Sequence, residues 1–145
     1  MKHCFLYYNI LDNFKKLLLL DLSVNSLTGQ IPSMQSLQSM YLLNLSFNSL
    51  DQTINPDLGT LKNMQYLYLS NNSLKGPIPD TLYNLTDVSV LSLRDNELSG
   101  TIPSGISSLQ KLKFLHLGNN YLTGIIPDEL GLLRNLEYLY VNNNQ

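Results

Sequence analysis

Apolar and polar residues in this chain follow a frame that returns every 23 or 24 positions. Each copy has apolar residues three positions apart, then two leucines separated by one residue, then an asparagine, a leucine, a glycine and an Ile-Pro pair. The fifth copy contains the frame in full: Ile106, Leu109, Leu112, Leu115, Leu117, Asn120, Leu122, Gly124, Ile126 and Pro127. Such a period predicts a stack of similar units, because one unit alone cannot bury its apolar face.

The spacing within a copy predicts its local structure. Two leucines separated by one residue, such as Leu115 and Leu117, have strand period and point into one core. The preceding steps of three residues favour a tight helical or extended return path, and the glycine permits a positive φ at a later corner. The asparagine should turn the chain out of the strand, with its amide bonding the backbone groups of that corner. These ladder asparagines are Asn25, Asn48, Asn72, Asn96, Asn120 and Asn144.

The second copy departs from the frame at the edge opposite its strand. Gln52 stands where the other copies have glycine, and Asn55 followed by Pro56 stands where they have the proline of the Ile-Pro pair. We therefore expect a local distortion of this edge. The core leucines of the copy should remain in place: Leu43, Leu45 and Leu50. The first step of the period is one residue short, and we expect the missing residue in the turn after Pro32.

The stretches LYLSNNSLKGPIP, LSLRDNELSGTIP and LHLGNNYLTGIIP share the frame LxxLxLxxNxLxGxIP. This frame resembles the plant-type extracellular leucine-rich repeat of receptor-like kinases, receptor-like proteins and polygalacturonase inhibitors. The resemblance covers about residues 11–145 and implies an α/β repeat fold. The implied architecture is a right-handed leucine-rich-repeat solenoid of about six 24-residue repeats, with a parallel β-sheet on its concave side. The cysteine-bearing caps usual in the family are lacking, since the chain has one cysteine.

We divide the chain into two parts on this basis. Residues 1–10 do not fit the frame and are interpreted as an irregular N-terminal leader or cap. Residues 11–145 are interpreted as one solenoid domain, truncated because the family's caps are missing. The leader's apolar run is short and lacks a small-residue cleavage site, so it is not a convincing signal peptide. No apolar run approaches the about 20 residues that span a bilayer.

Composition and charge limit the kinds of partner that this chain can bind. Leucine fills 33 of the 145 positions, and only 14% of residues are charged, with a net charge of -2. Nucleic-acid binding requires a basic stripe, and membrane-surface binding commonly uses a polybasic patch. We therefore expect neither a nucleic-acid partner nor membrane contact by this segment.

Residues able to support catalysis or hold a metal are few. Cys4 alone can form neither an internal disulfide nor a zinc site. His3 lies in the leader and His116 on a predicted strand, at opposite ends of the expected stack. No metal, nucleotide or nucleophile motif is present. We predict no catalytic residue, no metal site and no cofactor, and hence a protein that is not an enzyme.

Residues alternating with the core leucines should project from the exposed face of the sheet in three rows. The first row, before the first strand leucine, is Leu19, Leu42, Tyr66, Val90, Phe114 and Tyr138. The second row, between the two leucines, is Asp21, Asn44, Tyr68, Ser92, His116 and Tyr140. The third row, after the second leucine, is Ser23, Ser46, Ser70, Arg94, Gly118 and Asn142.

Aromatic residues of these rows gather in the third, fifth and sixth copies. Tyrosine and arginine are enriched at binding hot spots, because a rigid amphipathic ring desolvates readily and keeps a hydrogen-bonding tip. The predicted contact set is Tyr66, Tyr68, Arg94, Phe114, His116, Tyr138 and Tyr140. Packing along the sheet is the favoured explanation for the apolar residues Leu19, Leu42 and Val90. Binding and packing both stay open for Tyr68, His116 and Tyr140.

Three sequons give glycosylation candidates at Asn44, Asn71 and Asn84. A glycan on Asn44 would stand on the concave face. The family resemblance, more than the sequons, implies an extracellular or plasma-membrane-associated location in the full-length context.

The resemblance implies a protein- or peptide-binding module, part of a plant cell-surface receptor ectodomain in signalling or defence. Its partner would be a peptide or protein ligand, or a co-receptor. Two alternatives remain. A secreted inhibitor like the polygalacturonase inhibitors should carry an acidic concave cluster, but only Asp21 is acidic in the central rows. The other is a truncated fragment with no function of its own.

Overall fold

A computed structural model of the chain describes residue 11 and residues 13–145. Within these residues, six short strands form one parallel sheet whose strand order follows the chain. Its strands are β1 (Leu19–Asp21), β3 (Leu42–Asn44), β5 (Tyr66–Tyr68), β7 (Val90–Ser92), β9 (Phe114–His116) and β11 (Tyr138–Tyr140). Neighbouring strands pair in register at the repeat period, so Leu43 lies beside Leu67 and Leu91 beside Leu115. The stack of similar units predicted from the period is therefore confirmed.

The core lies behind this sheet and consists of the frame's apolar residues. Strand leucines such as Leu67 and Leu115 are completely buried, because each packs between the leucines of the coils on either side. Leu139 occupies the same position in β11, the edge strand, and is 41% exposed. Burial thus depends on stacking as much as on the sequence of a single unit.

The asparagine of each copy closes the corner that follows the strand. In the fourth copy, the Asn96 Nδ2 group donates to the carbonyl oxygens of Leu69 (3.0 Å) and Leu93 (3.1 Å), and its Oδ1 accepts from the Leu74 backbone N–H (3.0 Å). One side chain thereby joins its own coil to the preceding one. The same three bonds recur at Asn48, Asn72, Asn120 and Asn144. Among the residues that the structure describes, Asn25 bonds only carbonyls of its own coil.

The residue before each ladder asparagine has a left-handed backbone. These residues have φ between 52° and 57°, and they include Val24 and Phe47 as well as Asn71, Asp95, Asn119 and Asn143. A β-branched valine rarely adopts this conformation, whereas asparagine and aspartate do so more readily. The sharp turn is therefore imposed by the stacked asparagine corner, whatever residue precedes it.

Short strands also line the opposite edge of the coils. They are β2 (Thr28–Gly29), β4 (Ser49–Leu50), β6 (Lys75–Gly76), β8 (Glu97–Gly100) and β10 (Tyr121–Leu122). In the described residues they form two separate groups, β2–β4 and β6–β8–β10, joined only by a Thr53–Lys75 bridge. The break falls at Gln52, where the other copies have a glycine with φ of 72–82°. The distortion predicted for the second copy is thus confirmed, and its leucines Leu43, Leu45 and Leu50 are buried.

The return paths are 3-10 helices, as the three-residue spacing indicated. They are η1 (Pro56–Thr60), η2 (Asp80–Asn84), η3 (Ser104–Ser108) and η4 (Asp128–Leu132) within the described residues. None of them has the length or hydrophobicity of a bilayer span. Residues 33–40, in the copy that is one residue short, form two turns without a helix.

Asn55 takes the position that proline has before the helix in the other copies, and Pro56 follows it as the first residue of η1. Its Oδ1 accepts from the Asp57 backbone N–H (3.0 Å), which caps η1, and its Nδ2 donates to the Ile31 carbonyl (3.2 Å) in the preceding coil. The three other helices begin after Pro79, Pro103 and Pro127, which have no side-chain cap. An amide that bonds both ways thus holds this corner where proline would have fixed φ.

Gly59→Ala should destabilise the fold by about 3 kcal/mol, because an added Cβ would lie 2.1 Å from the Thr81 carbonyl oxygen in the next coil. Gly131 has the same position in η4, but an added Cβ there would have nothing within 4 Å. Gly131→Ala is therefore the matched control and should change stability by less than about 1 kcal/mol. Urea unfolding of both variants measures the difference, and equal losses would contradict the close coil packing.

Asn96→Ala should cost about 3 kcal/mol, because it leaves buried backbone groups of two coils without partners. Asn25→Ala removes two exposed bonds within one coil and should cost less than about 1 kcal/mol. Denaturant unfolding at matched concentration tests both. A loss at Asn25 as large as the loss at Asn96 would contradict the ladder's role between coils.

Candidate functional site

The first and second rows stand side by side across the main sheet, and we call this surface the sheet face. Strand pairing aligns Tyr66 with Val90 and then Phe114, and Tyr68 with Ser92 and then His116. Within a row, the Cα atoms of consecutive copies are separated by one strand spacing of about 4.8 Å. Residues that are 24 positions apart in sequence are therefore direct neighbours on one surface.

The second row of the sheet face is polar at its N-terminal end, beside the apolar Leu19 and Leu42 of the first row. The Asp21 carboxylate accepts from the Ser23 hydroxyl (2.6 Å) and the Ser23 backbone N–H (2.9 Å), and the Asn44 amide donates to its other oxygen (3.2 Å). These hydrogen bonds, with that of the Ser23 hydroxyl the largest cause, lower the pKa of Asp21 below its usual value. The carboxylate is therefore stabilised in its ionised form, and part of its hydrogen-bonding capacity is used within the sheet face.

The C-terminal end carries an aromatic cluster made of Phe114, His116, Tyr138 and Tyr140. The His116 and Tyr140 ring centres are 4.7 Å apart, and Phe114 lies 5.6 Å from Tyr140 and 5.8 Å from Tyr138. These separations are typical of attractive ring pairs. Tyr138 and Tyr140 nevertheless remain 52% and 41% exposed. Ring packing and an exposed aromatic surface therefore occur together in this cluster.

His116 is neutral over much of the physiological pH range. Partial burial and the positive charge of Arg94 lower its pKa from the usual 6.5, while the Asp95 carboxylate acts in the opposite direction. A neutral ring can stack on Tyr140 and offer one donor and one acceptor.

Tyr66 and Tyr68 form the aromatic part of the third copy. Tyr66 packs edge-to-face on Tyr41, with 6.4 Å between ring centres. Tyr41 precedes the first row and was missed by sequence reasoning, because only residues alternating with the leucines were counted as surface. Tyr68 lies between Asn44 and Ser92, and burial, followed by the neighbouring Tyr66, raises its pKa.

Arg94 lies at the rim of the sheet face and is held there by an ion pair. Its Nε group is 2.7 Å from an Asp95 carboxylate oxygen. The Asn119 amide donates to Asp95, and the Asn143 amide donates to the Asn119 side-chain oxygen (2.6 Å). The positive charge of Arg94 is therefore largely balanced locally, while its terminal nitrogens are left as donors.

The expectation that all three rows are exposed is wrong at several small residues. Ser46, Ser70 and Ser92 are buried, and the Ser70 and Ser92 hydroxyls share a 2.7 Å hydrogen bond. Gly118 is also buried, with the Asn142 side-chain oxygen 2.7 Å from the position of an added Cβ. Side chains this short lie below their larger neighbours and serve as the floor of the surface.

This floor and its taller neighbours form a shallow groove. A volume of about 470 Å³ is bordered by residues that include Tyr68, Ser92, Arg94, Phe114 and His116. Six of the seven predicted contact residues therefore border this groove or belong to the aromatic cluster that adjoins it through direct ring contacts. The seventh, Tyr66, lies on β5, the same strand as Tyr68, which borders the groove.

The three sequon asparagines differ in position. Asn44 lies in the second row, half-buried and hydrogen-bonded. Asn71 lies at the rim beside Ser70, with φ of 56°. Asn84 is exposed at the end of η2, away from the sheet face.

No group of three histidine, cysteine or acidic side chains comes together as a metal site within residue 11 and residues 13–145. His3 and Cys4, together with the rest of the proposed leader, lie outside the described residues. The polar groups that the sheet face does offer are hydroxyls, amides, the Asp21 carboxylate and the His116 imidazole, with the Arg94 guanidinium at its rim.

Comparisons with known proteins define the family. Family models described as leucine-rich repeat match residues 87–145 and residues 63–85. A comparison with curated protein sequences found no match. Among solved structures, the chain is similar to the ectodomain of the Arabidopsis thaliana receptor kinase GASSHO1/SCHENGEN3, in complex with CASPARIAN STRIP INTEGRITY FACTOR 2. The identity is 36%, the TM-score is 0.89, and the match covers 92% of this chain and 16% of that one.

Two further Arabidopsis structures match comparably. The receptor kinase HAESA, in complex with the peptide hormone IDA and the co-receptor SERK1, is 36% identical with a TM-score of 0.90, covering 97% of this chain and 24% of that one. A chain of the BIR3–SERK2 complex is 35% identical with a TM-score of 0.79, covering 90% of this chain and 69% of that one. The chain thus spans about a sixth to a quarter of the two large receptor ectodomains.

The chain belongs to the leucine-rich-repeat family, of the type found in plant extracellular proteins. The resemblance stated from the sequence is confirmed, and so is the solenoid with its parallel sheet. The solved neighbours include extracellular domains of plant membrane receptors.

His116 should make stability depend on pH. Because folding lowers its pKa, the unfolded chain binds the proton first as the pH falls below about 6.5, and the free energy of unfolding should decrease over that range. His116→Gln should flatten the dependence between pH 7 and pH 5, while His3 contributes equally to both proteins. Urea unfolding at several pH values measures this, and an unchanged slope in the variant would contradict the half-buried, neutral imidazole.

Proposed function

We propose that this chain is a ligand-binding module of a plant cell-surface receptor and that its sheet face contacts an extended peptide or a co-receptor. The observation that carries the proposal is the aromatic cluster, whose tyrosines pack on Phe114 and His116 yet remain about half exposed. Rings held by their neighbours lose little conformational freedom on binding, and their hydroxyl tips can still form hydrogen bonds.

The similar proteins support this class of function. GASSHO1/SCHENGEN3 was solved with CASPARIAN STRIP INTEGRITY FACTOR 2, and HAESA with a peptide hormone and a co-receptor. Those ectodomains are much longer than this chain. The partner and the pathway of the whole protein are therefore proposed and do not follow from the similarity itself. An extracellular location and a role in signalling or defence are proposed on the same basis.

The dimensions of the sheet face favour an extended ligand. Six strands about 4.8 Å apart, each three residues long at about 3.3 Å per residue, give roughly 300 Å². A standard protein interface buries about 800 Å² on each partner. A peptide lying across the strands fits within this area, whereas a folded partner needs the flanks as well.

The predicted contact residues would have different roles. The cluster residues Phe114, Tyr138 and Tyr140 offer apolar area, and His116 adds a neutral donor and acceptor. Tyr68 stands beside the buried Ser92 at the groove and would border a ligand side chain. Arg94 would act mainly as a hydrogen-bond donor, because Asp95 balances its charge. Tyr66 extends the surface towards Tyr41.

The proposed activity is binding, and the enzyme-inhibitor alternative receives less support. Asp21 is the acidic residue of the central rows, and it is already bonded to Ser23 and Asn44. A basic enzyme would meet a sheet face whose larger part is aromatic and uncharged.

The proposal is tested by peptide selection. A display library of random peptides of about 14 residues is selected for binding to the chain produced in bacteria. Tyr68→Ala and Tyr140→Ala should each weaken binding of the selected peptides about tenfold or more, because each removes an aromatic ring from the sheet face. Fluorescence anisotropy with labelled peptide measures the Kd.

Tyr121→Ala is the matched control. Tyr121 is 52% exposed but lies in β10, at the opposite edge of the coils. Its replacement should leave the Kd within about twofold of the original, as expected for a residue outside the interface. Loss of binding at Tyr121 with none at Tyr68 or Tyr140 would contradict the proposed face, as would a library that yields no binding peptide.

A further inference from the structure

Asn84 differs from the other sequon asparagines in having an exposed and uncommitted side chain. It is the last residue of η2, and its side-chain amide has no hydrogen-bond partner among the described residues. Its backbone carbonyl accepts from the Lys62 ammonium (3.1 Å), which fixes the main chain without using the amide.

The other two residues of this sequon, Leu85 and Thr86, also leave the asparagine accessible to modification. Leu85 is buried and anchors the segment in the core, while Thr86 is exposed on its other side. The acceptor amide and the threonine hydroxyl therefore both face solvent across one buried residue. A large polar group on Asn84 would extend into solvent without displacing any packed side chain.

Asn44 presents the opposite situation. Its Nδ2 donates to the Asp21 carboxylate (3.2 Å) and its Oδ1 accepts from the Ser46 backbone N–H (3.1 Å). Its row neighbours are Asp21 and Tyr68, each one strand spacing of about 4.8 Å away. A sugar on this amide would have to stand between them, and the Ser46 of its sequon is buried.

We propose that Asn84 is an N-glycosylation site of the folded protein and that Asn44 is not glycosylated in it. In the reaction, Nδ2 of Asn84 loses one proton and bonds to the anomeric carbon of the first sugar of a polyprenyl-diphosphate-linked oligosaccharide. The sugar–phosphate bond breaks, and the polyprenyl diphosphate leaves with the electron pair and takes up the proton. The inference rests on the proposed extracellular function, because this donor meets only chains that enter the secretory pathway.

The location of this glycan has a structural consequence. A bulky, hydrated oligosaccharide on η2 would cover part of the helical side of the coils and leave the sheet face open. The modification and the proposed binding surface are therefore compatible on one molecule. A glycan on Asn44 would instead obstruct the N-terminal end of the sheet face.

The test uses the full 145-residue chain, fused to a heterologous secretion signal, in cultured plant cells. All variants carry Ser73→Ala, which removes the sequon of Asn71 and leaves two. Thr86→Ala then removes the Asn84 sequon, Thr86→Ser preserves it, and Ser46→Ala removes the Asn44 sequon. Intact mass before and after enzymatic deglycosylation is measured on monomeric protein from the medium and the cell lysate.

One glycan is expected on the background chain, on Thr86→Ser and on Ser46→Ala, with complete loss on Thr86→Ala. A glycan remaining on folded, monomeric Thr86→Ala would place the modification on Asn44 and overturn the proposal, as would an unmodified background chain. Cooperative thermal unfolding of each variant made in bacteria shows that the substitutions leave the fold intact. Peptide binding is measured on the unglycosylated bacterial protein, so failure of the binding proposal and failure of this one remain separate results.

Discussion

Satisfaction of buried backbone groups at the corner after each strand is the constraint on which this structure depends. The turn leaves carbonyl and N–H groups of two coils away from water, and unpaired groups of this kind cost about 1–3 kcal/mol each. One asparagine amide per copy, such as Asn96 between Leu69, Leu74 and Leu93, satisfies groups in both coils. Neither a hydroxyl nor a carboxylate offers this combination of two donors and an acceptor.

The same constraint creates the candidate binding surface. Because each asparagine fixes the distance and register between coils, residues one period apart are held side by side, and the aromatic residues of the fifth and sixth copies become one cluster. Small changes in a few rows then determine the character of the surface. In the second row, Asp21 and Asn44 make the N-terminal end polar, while His116 and Tyr140 make the C-terminal end aromatic. A repeating scaffold thus supports a surface that does not repeat.

The sequence predicted the fold closely because its period specifies register directly. The strand leucines, the glycine corners and the break at Gln52 all follow from spacing alone. The surface was predicted less completely. Alternation along a strand indicates the side of the sheet to which a side chain projects. It does not indicate how far the side chain extends above the sheet, so the burial of Ser70 and Ser92 beneath larger neighbours could not be anticipated. Tyr41 was missed for a related reason, since its contact with Tyr66 lies between coils and just outside the strand.

The sheet face, and no other surface of the coils, is proposed to receive the ligand. The most direct measurement is NMR of ring-labelled tyrosines during titration with a selected peptide, because tyrosines lie on both sides of the molecule. If the ligand binds the sheet face, the signals of Tyr68 and Tyr140 shift, while those of Tyr121 on β10 and of the buried Tyr83 in η2 stay unchanged. Shifts of Tyr121 or Tyr83 without any change at Tyr68 and Tyr140 would contradict binding at the sheet face.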